Sequence, residues 1–174
     1  IEDRVLGMTV QVSPKSFMQG NAAMVDTLYE TFMNQIEWNG TDPLIDLYCG
    51  TGIMTLGWAK RAKKQGVVIG IDDNESAIRD AKQNAKQNQI NAEFICEKAE
   101  NYLAKQSVSY GAVVLDPPRQ GCHPDVLKAI IKAKPKTIGM MSCNVDTLGR
   151  DLRILIDGGY QINTIRGVDM FCHT

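Results

Sequence analysis

The sequence lacks the features that mark membrane proteins, metal proteins and disulfide-rich proteins. No apolar run approaches the length of a membrane span, and no signal peptide is recognisable in the 174 residues. The five cysteines are odd in number, widely scattered and never separated by two residues. The pattern argues against a zinc site, an iron–sulfur cluster or a disulfide framework. It predicts a cytoplasmic protein with no bound metal and no membrane partner.

An excess of charge of one sign is also missing, since the formal net charge is -1 at pH 7. The total charge therefore does not indicate a nucleic-acid-binding protein. Two local basic clusters occur, at residues 60–64 and 132–136, and each is typical of a solvated helix end.

What the sequence does contain is a regular alternation of strand and helix patterns in a chain long enough for one domain. Helical patterns separate the apolar stretches "PLIDLYCG", "GVVIGID", "AEFIC", "GAVVLDPP" and "KTIGMMSC", and "YQINTIRGVDM" is expected to be a last strand. This order predicts an α/β fold with a mostly parallel sheet and helices on both faces. Residues 1–35 are predicted to form an arm that leads into the main domain, residues 36–174.

The arm has two local signals of its own. Apolar and polar residues alternate around Val5–Val12, which predicts a strand or hairpin. Asn21 is a good N-cap for a helix predicted to run through Met33, with Met24, Leu28 and Phe32 on one side.

The turn after the first strand of the main domain, in "LIDLYCGTG", has two glycines that let a ligand approach the backbone closely. A full dinucleotide fingerprint would have a third glycine where the sequence has Thr55. Asp72 ends the next strand, about twenty residues later, where a carboxylate can bind a ribose diol. Gly50, Gly52 and Asp72 therefore favour S-adenosylmethionine over NAD, although a plain tight turn and a helix-capping Asp72 stay open as alternatives.

A second candidate site lies where the strand "VVLDPPRQG" ends in Asp-Pro-Pro. Proline donates no hydrogen bond to a strand ladder, so two prolines produce a stiff, extended turn. Asp116 is then fixed at the strand tip, where its carboxylate can orient a planar base. The alternative is that Asp116 only terminates the strand.

A third candidate is Cys143, which follows the strand pattern Ile138–Met141 where a helix begins. A free cysteine is usually a small core residue. A helix N-terminus, capped here by Asn144, instead stabilises the thiolate, which is the attacking form. A thiolate that adds to C6 of uracil makes C5 able to accept a methyl group. Cys49, in the glycine turn, is the one competitor among the other cysteines.

These motifs, with "SPKSFMQGN" and "GYQINTIRGVDMFCHT", resemble the S-adenosylmethionine-dependent 5-methyluridine RNA methyltransferases, which act on tRNA or 23S ribosomal RNA. The resemblance covers nearly the whole chain and implies a Rossmann-like class I methyltransferase sheet without its last strand. It implies that Cys143 is the nucleophile. The residues it implies around the cofactor and the target base are Gln19, Tyr48, Gly50, Gly52, Asp72, Asp116 and Arg119.

The sequence also departs from the family pattern. Val145 and Cys172 stand where many members have proline, and Lys98 stands where an acidic residue often holds the adenosine. The family's general base, a glutamate, is expected beyond Thr174, and its amino-terminal RNA-binding domain is expected to lie outside these 174 residues. The chain is therefore expected to be a catalytic-domain fragment that is inactive alone.

Two alternatives compete with uracil methylation. Methyltransferases that act on exocyclic amines share the motifs up to Asp-Pro-Pro, but they usually continue with an aromatic residue and need no cysteine. Arg119 and Cys143 argue against that class. A binding module could also retain the fold without the chemistry.

Overall fold

The computed structural model describes residues 2–13, 21–106 and 108–171. The strands in these ranges are β1 Glu2–Val5, β2 Met8–Gln11, β3 Leu44–Leu47, β4 Val68–Asp72, β5 Glu93–Cys96, β6 Ala112–Leu115 and β7 Thr137–Met140. The helices are α1 Ala22–Gln35, α2 Ile53–Arg61, α3 Glu75–Gln87, α4 Ala99–Lys105, α5 Pro124–Ala133 and α6 Val145–Asp157. None of these helices is both long and apolar enough to cross a membrane.

Strands β3 to β7 form one parallel sheet in the order β5-β4-β3-β6-β7. The chain starts at the central strand β3, moves outward through β4 to β5, and then returns to the other side of β3 for β6 and β7. The strand order therefore reverses between β3 and β6. Open α/β sheets bind ligands beside the carboxyl ends of the strands at such a switch point.

Helices cover the sheet on both faces, as predicted. One hydrophobic core lies between the sheet and α1, α2, α3 and the β1–β2 hairpin, and a second lies between the sheet and α4, α5 and α6. β3 and β6 are buried along their whole length. Their near-continuous apolar sequence follows from this double burial.

The hairpin is attached to α3 by side chains that act like a neighbouring strand. Asn84 accepts a hydrogen bond from the Gln11 N–H at 2.7 Å and donates to the Gln11 carbonyl at 3.1 Å. One turn further along α3, Asn88 makes the same pair of bonds with Thr9. Four helical residues rise about 6 Å and two strand residues rise about 6.7 Å, so the two spacings match. The backbone N–H and C=O groups of Thr9 and Gln11 on the outer edge of β2 thereby have hydrogen-bond partners.

The buried residues of α1 are Val25, Tyr29 and Met33, and Met24, Leu28 and Phe32 lie beside them and are partly buried. One detail of the predicted elements is wrong. The predicted last strand is not a strand in residues 160–171. A strand needs a paired neighbour, and in the described part of the chain no strand pairs with the outer edge of β7. For the same reason β7 is less buried than its apolar sequence predicted.

Candidate active site

The glycine turn follows β3 at the switch point of the sheet. Gly50 and Gly52 both have positive φ, +52° and +80°. A Cβ on Gly52 would lie 2.7 Å from the Phe94 ring, so only glycine fits there. A Cβ on Gly50 would meet nothing within 4 Å. The backbone at Gly50 thus borders open space that a ligand can occupy.

Asp72, at the end of β4, holds this turn. One carboxylate oxygen accepts a hydrogen bond from the Gly50 N–H and the other from the Asn74 N–H, both at 2.9 Å. Asn74, rather than Asp72, caps α3 by accepting from the N–H groups of Ser76 and Ala77. Asp72 therefore orients the glycine turn, and lone pairs on its two oxygens stay available for a ligand.

Asp46 belongs to the same region and was not among the predicted residues. It lies within β3 and is fully buried, and its Oδ2 accepts a 2.6 Å hydrogen bond from the Thr55 hydroxyl. Its Oδ1 is buried without a hydrogen-bond partner. Burial, with added repulsion from Asp116 and Asp72, raises the pKa of Asp46 to about 8. The available sequence signal was a carboxylate inside an otherwise apolar strand.

Asp116 follows β6 on the other side of the switch point. Its side chain is half-buried, and burial raises its pKa to about 6. Tyr29, on the buried side of α1, has a raised pKa because of its own burial first and then the charges of Asp116 and Asp46. Asp46, Asp116 and Tyr29 thus form one electrostatic group, which the sequence pattern did not indicate.

Cys143 lies between β7 and α6, and its side chain is exposed. The predicted N-cap is confirmed, since the Asn144 side chain accepts from the Asp146 N–H at 3.0 Å. Leu115 of β6 pairs with Met140 of β7. Because these strands are adjacent and parallel, the segments that carry Asp116 and Cys143 leave the sheet side by side.

The remaining predicted residues differ in how they are placed. Gln19 lies outside the described residues. Tyr48 has a φ of +61° and packs against the second core, where burial raises its pKa to about 12. Arg119 is exposed, and its carbonyl accepts hydrogen bonds from the Asn144 amide and the Thr147 hydroxyl, both at 3.3 Å.

The part of the chain that the structure describes has no group of three side chains able to hold a metal ion.

Curated relatives match almost the whole chain. It is 43% identical to an uncharacterized RNA methyltransferase of Oceanobacillus iheyensis, covering 100% of this chain and 38% of that protein. It is 39% identical to an uncharacterized RNA methyltransferase of Listeria monocytogenes, covering 98% of this chain and again 38% of the relative. The chain therefore spans less than half the length of these relatives.

One solved structure is similar to this chain in both fold and sequence. The crystal structure of Pyrococcus abyssi tRNA (uracil-54, C5)-methyltransferase in complex with S-adenosyl-L-homocysteine superimposes with a TM-score of 0.84 at 33% identity. The match covers 98% of this chain and 41% of that protein. It confirms the predicted class I methyltransferase sheet. Residues 39–156 match the model of the methyltransferase domain family, and the chain belongs to that family.

Proposed function

We propose that this protein transfers a methyl group from S-adenosylmethionine to C5 of a uridine in RNA, in tRNA or 23S ribosomal RNA, through a covalent bond between Cys143 and C6 of the base. The observation that carries the proposal is the exposed Cys143, whose segment leaves the sheet beside the segment that carries Asp116. The resemblance to a uracil-C5 methyltransferase over nearly the whole chain supports it.

The residues around the glycine turn fit the cofactor. Gly50 borders open space, and the Asp72 carboxylate can accept further hydrogen bonds. Asp46 has a buried oxygen without a hydrogen-bond partner. We assign the ribose hydroxyls to Asp72 and the methionine ammonium to Asp46, because a charged donor satisfies a buried carboxylate best. When bound, S-adenosylmethionine supplies an electrophilic methyl group on a sulfonium.

Asp72→Ala is expected to weaken binding of S-adenosylhomocysteine at least tenfold. The substitution removes acceptors worth about 1.5–3 kcal/mol each when the acceptor is charged, and it also releases the Gly50 N–H. Isothermal titration calorimetry measures the loss. Asp73→Ala is the matched control, since Asp73 is the next residue and is exposed. Equal affinity of the wild type and Asp72→Ala would remove the ribose assignment.

Cys143 supplies the chemistry that uracil needs. Its thiolate adds to C6, an S–C bond forms, and the C5=C6 π electrons move to C5, which becomes nucleophilic towards a methyl donor. After C5 is methylated, a base removes the C5 proton, the double bond re-forms and the thiolate leaves. The resemblance implies a glutamate beyond residue 174 as that base, so turnover is to be measured on the full-length protein.

Cys49 is a poor candidate for the nucleophile. It is buried, and burial, followed by the charges of Asp46 and Asp72, raises the pKa of its thiol well above the ordinary value. A thiol in this state stays protonated and packs as a core residue. Cys143, by contrast, reaches solvent at the carboxyl edge of the sheet.

Access to C5 and C6 requires a base that is not stacked in a helix, so the target is a loop uridine or one that is flipped out. Asp116, Gln19 and Arg119 are the proposed contacts to the base. With a pKa of about 6, Asp116 is mostly ionised at pH 7 and can accept a hydrogen bond from the uracil N3–H.

Asp116→Ala in the full-length protein is expected to lower turnover at saturating RNA at least tenfold, with little change in RNA affinity. One oriented base contributes little to RNA binding, which is dominated by phosphate contacts, but its orientation decides the reaction rate. Filter binding and single-turnover methylation separate the two quantities. Asp125→Ala, at an exposed position on α5, is the control. If only RNA affinity fell, Asp116 would not act in the chemical step.

The proposed reaction is tested by identifying the product. The full-length protein is incubated with unmodified transcripts of tRNA and 23S ribosomal RNA and with methyl-deuterated S-adenosylmethionine, and the nucleosides are analysed by mass spectrometry. Labelled 5-methyluridine is expected. A label on an exocyclic amine would instead identify the alternative class, and no label with intact cofactor binding would indicate a non-catalytic module.

A further inference from the structure

Helix α6 holds the loop after Asp-Pro-Pro with two adjacent side chains. Asp151 is 1% exposed, and its Oδ2 accepts a hydrogen bond from the Cys122 N–H at 2.7 Å. Its Oδ1 accepts from Nε and Nη2 of Arg150 at 2.8 and 2.7 Å. Nη2 of Arg150 also donates to the carbonyls of Gln120 and Cys122 at 3.1 and 3.2 Å. The two residues thus form hydrogen bonds with both N–H and C=O groups of the loop.

Arg150 and Asp151 lie so close to the loop backbone that only glycine fits at position 121 in this arrangement. A Cβ on Gly121 would lie 2.5 Å from Nη2 of Arg150 and 2.7 Å from Oδ2 of Asp151. No side chain fits there unless the ion pair moves. The loop backbone therefore lies directly against Arg150 and Asp151.

The start of α6 is tied to the same loop. The Asn144 amide and the Thr147 hydroxyl both donate to the Arg119 carbonyl at 3.3 Å. Asn144 is also the residue that follows Cys143 and caps α6. The segment that carries Cys143 and the loop that follows Asp116 are consequently bonded to each other at two places along α6.

An ion pair with a buried carboxylate is weak support for stability, because desolvation of that charge offsets the attraction. What the ion pair can do is fix the conformation of the loop, because the planar guanidinium and the carboxylate bond the loop backbone in defined directions. The other pair on this helix, Arg153 with Asp157, is exposed on both sides and holds no loop. The Arg150–Asp151 pair therefore differs from the Arg153–Asp157 pair in that it positions a loop.

We propose that Arg150 and Asp151 form a clasp that fixes the Asp116-Pro-Pro turn relative to Cys143, so that Asp151 is a positioning residue for methyl transfer. The inference rests on the proposed function. Among the described residues, Arg150 and Asp151 form no hydrogen bond with Gly50, Gly52 or Asp72, and the pKa of Tyr48 is raised mainly by burial, with only a minor contribution from the charge of Asp151. Loss of the clasp should therefore slow the reaction at the base while cofactor binding stays intact.

The test uses the full-length protein and transcripts of tRNA and 23S ribosomal RNA that contain 5-fluorouridine. Fluorine at C5 leaves no proton to remove, so the adduct accumulates and shows as a band shift on a denaturing gel. At saturating RNA and S-adenosylmethionine, Asp151→Asn and Arg150→Gln are each expected to slow adduct formation at least tenfold. The double variant should be no slower than the singles, because the two residues act as a unit.

Three controls separate positioning from folding. Calorimetry should give an unchanged affinity for S-adenosylhomocysteine, and iodoacetamide should alkylate Cys143 at an unchanged rate. Asp157→Asn, on the same helix, should leave the rate of adduct formation unchanged. If Asp151→Asn does not fold, Arg150→Gln decides the test, since the Arg150 side chain is 50% exposed.

The outcomes are distinguishable. Wild-type protein that forms no adduct overturns the proposed function and the clasp together. Adduct formation at the wild-type rate in both single variants overturns the clasp and leaves the function standing. A parallel loss of cofactor affinity also overturns it, because Arg150 and Asp151 would then support only the fold.

Discussion

Replacing Cys143 with alanine in the full-length protein is expected to abolish RNA methylation and the covalent adduct together. Without a thiolate to add to C6, C5 of uracil stays too weak a nucleophile, so the expected loss is on the order of a thousandfold or more. Cys143→Ser should behave in the same way, because a hydroxyl does not ionise at neutral pH. Labelled nucleoside analysis measures turnover, and the gel shift with 5-fluorouridine RNA measures the adduct.

Two matched substitutions control this result. Cys96→Ala removes another exposed thiol, at the end of β5, and should leave the adduct intact. Cys49→Ala removes the buried thiol of the glycine turn and should also leave it intact. An adduct that survived Cys143→Ala and vanished with Cys49→Ala would show that Cys49 is the nucleophile.

Asp46→Asn is expected to make the unliganded protein more stable and the cofactor complex weaker. Burial raises the pKa of Asp46 to about 8, so the folded chain keeps a proton that the unfolded chain releases near pH 4. The contribution of Asp46 to stability therefore falls as the pH rises from about 4 to about 8. Asparagine removes that dependence. The difference between the free energies of unfolding of variant and wild type should widen by about 5 kcal/mol over this range.

Binding should change in the opposite direction. An ammonium group beside Asp46 satisfies its unpartnered Oδ1, and a neutral amide loses that charge-assisted bond, so affinity for S-adenosylhomocysteine should fall about ten- to a hundredfold. Urea unfolding from pH 4 to pH 8 and calorimetry at pH 7.5 measure the two effects, with Asp157→Asn as an exposed control. Parallel pH profiles of wild type and Asp46→Asn would show that Asp46 does not titrate as described. Unchanged affinity would remove the ammonium assignment.

The sequence by itself determined the features that depend on local pattern. The alternation of strands and helices, the glycine turn, and the caps Asn21 and Asn144 were all readable because their signals span only a few neighbouring residues. The predicted fold class is confirmed for the same reason, since regular alternation leaves few arrangements besides a covered parallel sheet. The location of Asp72 and Asp116 at strand ends followed from that sheet.

Tertiary structure alone decided what each side chain meets. Asp46 and Asp116 are 70 residues apart in sequence, yet their charges interact because β3 and β6 are adjacent. The contacts of Arg150 and Asp151 with the loop at residues 120–122 also cross a long sequence separation, and no local spacing indicates them. The segment at 160–171 has the composition of a strand, but a strand forms only when a neighbour supplies its hydrogen bonds. Pairing, burial and pKa depend on which distant residues come into contact, and a local pattern does not encode them.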